Sequence, residues 1–306
     1  MKKLLISILF VLAGLFVVDR LGGMAMWWVC QHTHDVSGPK IKYLASDVYE
    51  DVVLMGTSRC NSHYVPSIIS DTLGCSVYNG GIDGSDNIFS HYITLNFILS
   101  KHKPKVICLE LMPSDFEKQP DPFSTISFFA PYFGKSEGAD SVFRLAGKYW
   151  EYRISHLYRY NAKAISNIAG LAINRNEGGD HGYLPNPQPA QYPTSLAHGF
   201  PITKVDSLKL KYVQKFIDLC RKNNIKLVFV VSPMYVKVDK DYYDPLKAIA
   251  ARNHVPFMDY HTEGLFLDHP DYFRDSNHLW DKGARCYSSI FSSDLKRYIG
   301  IRNTGN

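Results

Sequence analysis

From residue 50 onward the chain alternates short apolar runs with longer stretches in which apolar residues recur every three or four positions. Asp51 to Met55, Ser76 to Tyr78, Lys105 to Leu111, Lys226 to Val231 and Pro256 to Asp259 read as strands. Lys105 to Leu111 is a continuous apolar run, the pattern of a parallel strand covered on both faces. Tyr64 to Leu73, Asn87 to Ser100, Val205 to Asn224, Asp241 to Asn253 and Asp281 to about Tyr298 read as helices. Leu208, Tyr212, Phe216, Ile217 and Cys220 mark the apolar face of the third. Pro66 is tolerable only in the first turn of its helix. Strands alternating with helices predict an α/β domain, a three-layer α/β/α arrangement around a mostly parallel sheet with right-handed crossovers.

The alternation is interrupted once. Residues 117–203 are rich in Phe, Tyr, Pro and Gly, with one helical stretch near Ser141 to Ala172 and a Pro/Gly/Asn-rich tract from Gly178 to Pro201. This is a mid-chain insertion over the C-terminal edge of the sheet, either a lid and substrate wall or a structural cover. At the other end, Lys2 and Lys3 precede an apolar run from Leu4 to Val18. Asp19 and Arg20 interrupt it, and Leu21 to Val29 is apolar again. At about 1.5 Å per residue the first run is short against a hydrocarbon core of about 30 Å, so it suits a signal segment or a short anchor. With no small-x-small cleavage site directly after it, an uncleaved anchor is the preferred reading. The leading lysines keep the N-terminus cytoplasmic and send the rest outside, with Trp27 and Trp28 at the outer interface. The organisation expected is therefore 1–29 membrane helix or signal, 30–50 polar connector, and 51–306 an α/β domain carrying the insertion 117–203.

Composition narrows the function classes. With 306 residues and 45% apolar content, one large α/β domain can build its core. The net charge of +5 is scattered, with no basic block interleaved with aromatics, so nucleic acid is not an expected partner; an anionic glycan or membrane surface is only weakly favoured. An exported chain can pair some of the six cysteines, although Cys108 and Cys220 fall at positions where small buried thiols are common. No Cys/His cluster has metal-ligand spacing, and neither a metal nor a cofactor is expected.

The chemistry-bearing residues sit where strands end. Gly56-Thr57-Ser58-Arg59 follows the first strand, and Asp275-Ser276-Asn277-His278 precedes the last helix. Acyl transfer needs an oxygen nucleophile, a base to deprotonate it and an anion to orient the base. Ser58, His278 and Asp275 supply those groups, although a serine at a helix start is also an ordinary cap. The glycine-rich turn Asn79-Gly80-Gly81-Ile82-Asp83-Gly84 follows the second strand, where its backbone can approach a substrate or simply turn the chain.

These blocks resemble the SGNH (GDSL-type) hydrolase superfamily in a divergent form, over roughly residues 50–116 and 205–298 and outside the N-terminal helix and the insertion. The resemblance implies an SGNH/flavodoxin-like sheet with Ser58 as nucleophile, His278 as base and Asp275 as its orienting carboxylate. It makes Gly84 and the Ser58 amide oxyanion donors. Where the family has Gly-x-Asn-Asp after the third core strand, this chain has Leu111-Met112-Pro113-Ser114-Asp115, so that Ser114 takes the place of the Asn donor. Arg59 or Asn61 is then a substitute donor, and Arg59 is alternatively a binder of an anionic substrate group or a surface ion pair. Together with the anchor, the pattern resembles membrane-tethered envelope proteins, such as the D-alanine transfer protein and the alginate O-acetylation proteins. The expected activity is an extracytoplasmic serine esterase or O-acyltransferase acting on an acetyl-type ester of an envelope or secreted glycan. The alternatives are a catalytically weak scaffold that binds envelope polymer or a membrane acyltransferase partner and, less favoured, a lipid esterase.

Overall fold

The computed structural model describes residues 1–35, 37–112, 115–172, 179–199, 204–239, 241–261 and 264–299. The five strands of the central sheet are β1 (Val52–Met55), β2 (Val77–Asn79), β3 (Val106–Glu110), β4 (Lys226–Val231) and β5 (Phe257–Asp259). They lie in the order β2-β1-β3-β4-β5, and every neighbouring pair is parallel. This is the doubly wound arrangement expected from the alternation. Sequence neighbours β1 and β2 extend one way and β3 to β5 the other, so the topological switch falls between β1 and β3.

The strands are apolar because both faces are covered, and their residues divide by parity. Val53, Met55, Ile107, Leu109, Leu227, Phe229 and Val231 pack into one core. That core is closed by helices α2 (Gly38–Ser46), α5 (Ile88–Leu99), α9 (Ser207–Lys222) and α10 (Asp244–Arg252). Val52, Leu54, Val106, Cys108, Val228 and Val230 face the other way. There α3 (Ser58–His63), α4 (Pro66–Leu73), α11 (Gly264–Leu267) and α12 (Asp281–Ile299) cover them. Strand period two thus assigns Glu110, two positions after Cys108, to the face that carries α3.

Three expectations change. Residues 30–50 are more than a polar connector: α1 (Lys2–His32) runs three residues into them, and α2 follows with Ile41, Leu44, Ala45 and even Lys40 buried. The helical stretch 141–172 is broken into α6 (Glu137–Leu145), α7 (Tyr149–Ile154), a 3-10 turn Leu157–Tyr160 and α8 (Ala164–Gly170). Gly147, at φ +73, makes the first break with a left-handed conformation that glycine adopts freely. The insertion also serves two places. Its α6 packs on α5, whereas residues 179–199 run beside α4 and the loop before α12.

Helix α1 is 31 residues long, and among the described residues it is the one helix long and apolar enough to cross a membrane. Its side chains are exposed through Val18, and from Asp19 onward it docks on the insertion. All six cysteines are free thiols.

Candidate active site

The turn out of β1 ends at Ser58, the first residue of α3, at the carboxyl edge of the sheet beside the switch point. The glycine-rich turn after β2 closes tightly over this helix. The Gly80 amide donates to the Leu54 carbonyl (2.8 Å) and the Ile82 amide to the Gly56 carbonyl (3.0 Å). Asn79, wholly buried, joins the two segments: its Nδ2 donates to the carbonyls of Cys60 (2.7 Å) and Tyr64 (2.8 Å), and its Oδ1 accepts from the Gly81 amide (3.0 Å). Gly81 is glycine because a Cβ would stand 2.3 Å from the Asn61 backbone nitrogen.

From more than two hundred residues away, the loop before α12 arrives at the same edge. It is closed by a bridge between Phe273 and Leu279, a bond from the Arg274 amide to the His278 carbonyl (2.8 Å), and one from the Tyr235 amide to the Ser276 carbonyl (2.8 Å). The insertion's second piece braces it, with Asn186 Nδ2 donating to the Leu279 carbonyl (2.9 Å). In this setting Ser58 Oγ lies 2.9 Å from His278 Nε2, and His278 Nδ1 lies 2.9 Å and 3.1 Å from the two oxygens of Asp275. Asp275 also accepts from the amides of Asn277 (2.9 Å) and His278 (3.0 Å). Burial alone would raise the Asp275 carboxyl, but the His278 ring and these two amides bring it below the ordinary carboxylate value. An anionic Asp275 fixes the proton on Nδ1 and leaves Nε2 free to accept from the serine hydroxyl.

No family model matches this sequence, and no curated protein matches it. Among solved structures, one similar to it is a protein from Desulfitobacterium hafniense DCB-2 assigned to the G-D-S-L family of lipolytic proteins. It is 11% identical with a TM-score of 0.41, over 79% of this chain and 97% of that one.

The remaining expected site residues part company. Gly84 lies in the turn after β2 with φ +73, near the Phe128 ring. Ser114 lies outside the described residues. Asn61 is held in place from two sides: its Oδ1 accepts from Lys40 Nζ and one hydrogen of its Nδ2 goes to Asp83 (2.7 Å). Lys40, which also donates to the Gly81 carbonyl (2.7 Å), is pushed down to about 8 by its burial. Arg59 is corrected. It is neither an oxyanion donor, nor a binder of an anionic substrate group, nor a surface ion pair, because its side chain turns under the helix and pairs with Glu110 at 2.9 Å, both side chains 2% exposed.

Beneath the site runs a chain of hydrogen bonds that sequence reasoning did not assemble. The Leu279 amide donates to His63 Nε2 (2.9 Å), so the neutral ring carries its proton on Nδ1 and donates it to Ser232 Oγ (2.8 Å). Ser232 in turn donates to Glu110 Oε1 (2.5 Å). The chain ties the residue after His278 to the ends of β3 and β4 and to Arg59. Burial, with the nearby cationic forms of His278 and Arg59, holds His63 well below its ordinary value. The sign follows from proton counts. As pH falls below about 6.5, the unfolded chain takes up a proton at His63 that the folded chain does not, so stability falls by up to about 1.4 kcal/mol per pH unit. His63→Gln keeps one donor and one acceptor without titrating. Thermal unfolding from about pH 7 to about pH 5 is expected to drop less steeply in this variant than in the parent. Equal slopes would place the proton uptake elsewhere.

Proposed function

We propose that this chain is a membrane-anchored, extracytoplasmic serine enzyme. It removes or transfers a small acyl ester, acetyl in type, carried by an envelope or secreted glycan. The observation that carries the reading is the continuous Ser58–His278–Asp275 hydrogen-bonded series at the carboxyl edge of a parallel sheet. His278 Nε2 takes the Ser58 proton as Oγ attacks the acyl carbonyl, giving a tetrahedral oxyanion and an imidazolium paired with Asp275. The Ser58 amide, in the first turn of α3 where amides have no intrahelical acceptor, and the Gly84 amide are the proposed donors to that oxyanion. Collapse expels the sugar alkoxide, which takes the proton from His278, and leaves the acyl group on Ser58. Water or an acceptor hydroxyl then repeats the sequence in reverse.

Two further features support the finer parts. The His278 and Asp275 side chains are 27% and 48% exposed, so the series lies in an open setting that a polymer can approach without threading a tunnel. The run of apolar residues after Lys2 and Lys3 suits a helix whose C-terminal side faces outward. The test is mass detection of an adduct after treatment with a serine-reactive fluorophosphonate. A single adduct on Ser58 is expected, absent in Ser58→Ala and strongly slowed in His278→Ala. Labelling of Ser58 at an undiminished rate without His278 would remove the proposed base from the mechanism.

A further inference from the structure

Resting on the reading of α1 as a membrane anchor, we infer that the insertion's exposed apolar turn, Trp150, Ile154, Leu157 and Tyr158, is seated in the lipid bilayer beside that helix. Leu4 to Val18 rises about 22 Å at 1.5 Å per residue, while the hydrocarbon core is about 30 Å thick. About five more residues are needed to span it, and they are the stretch from Asp19 to Gly23. That is where the insertion lies against α1. A free carboxylate and guanidinium would be costly at such depth. Here Asp19 accepts from Ser155 Oγ and from the amides of His156 (2.9 Å) and Leu157 (3.2 Å). Arg20 pairs with Asp19 and donates to the Ile154 carbonyl (3.0 Å). Both charges are spent on the turn itself. The contact is close: a Cβ on Gly23 would stand 2.5 Å from that of His156. The turn therefore meets the helix at a level where the hydrocarbon has not ended.

At that level the insertion turns apolar side chains outward. Trp150 and Ile154, one helical turn apart on α7, are 67% and 69% exposed, and Leu157 and Tyr158 continue the patch. Such a patch is costly in water and suits an element lying in the membrane interface, where Trp and Tyr are favoured. Lys148, Arg153 and Arg159 lie among these residues along the chain, Lys148 paired with Glu151 and Arg159 Nε donating to the Tyr152 carbonyl. A cleft of about 300 Å³ between α1 and the insertion is rimmed by Lys135, His156 and Arg159. Cations beside an apolar patch match the order in which a bilayer presents phosphate headgroups and acyl chains.

The test uses the full-length protein in phosphatidylethanolamine–phosphatidylglycerol vesicles whose acyl chains carry bromine close to the headgroup. The emission of Trp150 is taken as the difference between the parent and Trp150→Phe. A turn seated about 5–10 Å into the boundary is expected to lose about half of that emission to brominated lipid and little to aqueous acrylamide. A carbonate wash separates the two readings. Release of the chain from the vesicles would overturn the anchor, and the seated turn with it. Retention of the chain, with Trp150 quenched by acrylamide and untouched by brominated lipid, would overturn the seated turn alone and leave a membrane protein partner as the occupant of the patch.

Discussion

Ser58→Ala is expected to lower turnover of an acetyl ester such as p-nitrophenyl acetate by about 10⁴- to 10⁶-fold, with no change in the unfolding transition. The size follows from the role proposed for Oγ: as nucleophile it is the atom that His278, 2.9 Å away, would activate, and an alanine leaves nothing to acylate. The fold is spared because, among the described residues, the Ser58 hydroxyl bonds His278 alone in a half-buried position, while the Ser58 carbonyl keeps its bond from Ser62 Oγ (2.9 Å). His278→Ala is expected to cost a similar factor, and the double variant little more than either, because the two groups act as one unit. Asp275→Asn is expected to lose about 10⁴-fold by admitting the wrong ring tautomer. Initial rates on purified variants decide the matter. A Ser58→Ala protein within about tenfold of the parent rate would leave the series as a structural hydrogen-bond chain and end the serine mechanism.

The sequence exposed this site unevenly, and the reasons are local. The strands were legible because a doubly covered parallel strand must be apolar along its length, and Leu227 to Val231 can be little else. Ser58, Asp275 and His278, which the fold brings together, stood out as candidates because each follows or precedes a regular element at the sheet edge, where sites of this fold collect. Helix α2 was missed because its composition is that of a connector. Nothing within nine residues announces that Lys40 is to be buried against Asn61 and Gly81 from the next layer. Arg59 was misplaced by its neighbour. A helix turns about 100° per residue, so a side chain next to an outward nucleophile points well away from it. The available signal was Glu110: a carboxylate ending an apolar strand must find a buried cation or donor, and strand parity aims it at the helix that begins with Ser58.

Glu110→Ala is expected to cost about 3–5 kcal/mol of stability, because removing one partner of a buried pair strands the other charge. Burial works against the Arg59 cation, and the Glu110 carboxylate more than offsets it, holding Arg59 above its ordinary value. Nε, Nη1 and Nη2 of Arg59 and Oε2 of Glu110 have no hydrogen-bond partner among the described residues, so the pair is held by charge and no second acceptor stands ready to take over. The same substitution removes the acceptor of Ser232 and with it the end of the chain that reaches the Leu279 amide through His63. Catalysis is therefore expected to suffer beyond the stability loss, as a fall in kcat with KM little changed, since the base is displaced and no substrate contact is touched. The compensating variant separates charge from shape. Arg59→Met combined with Glu110→Leu is expected to recover most of the stability, because an apolar pair of similar volume has no desolvation to repay. It is expected to recover less of kcat, because Ser232 still lacks its carboxylate. Chemical unfolding in detergent, with turnover measured on the same samples, tests both parts. A Glu110→Ala variant within about 1 kcal/mol of the parent would mean that water already reaches the pair, and the segments around Ser58 would then be tied by Asn79 and the loop bonds.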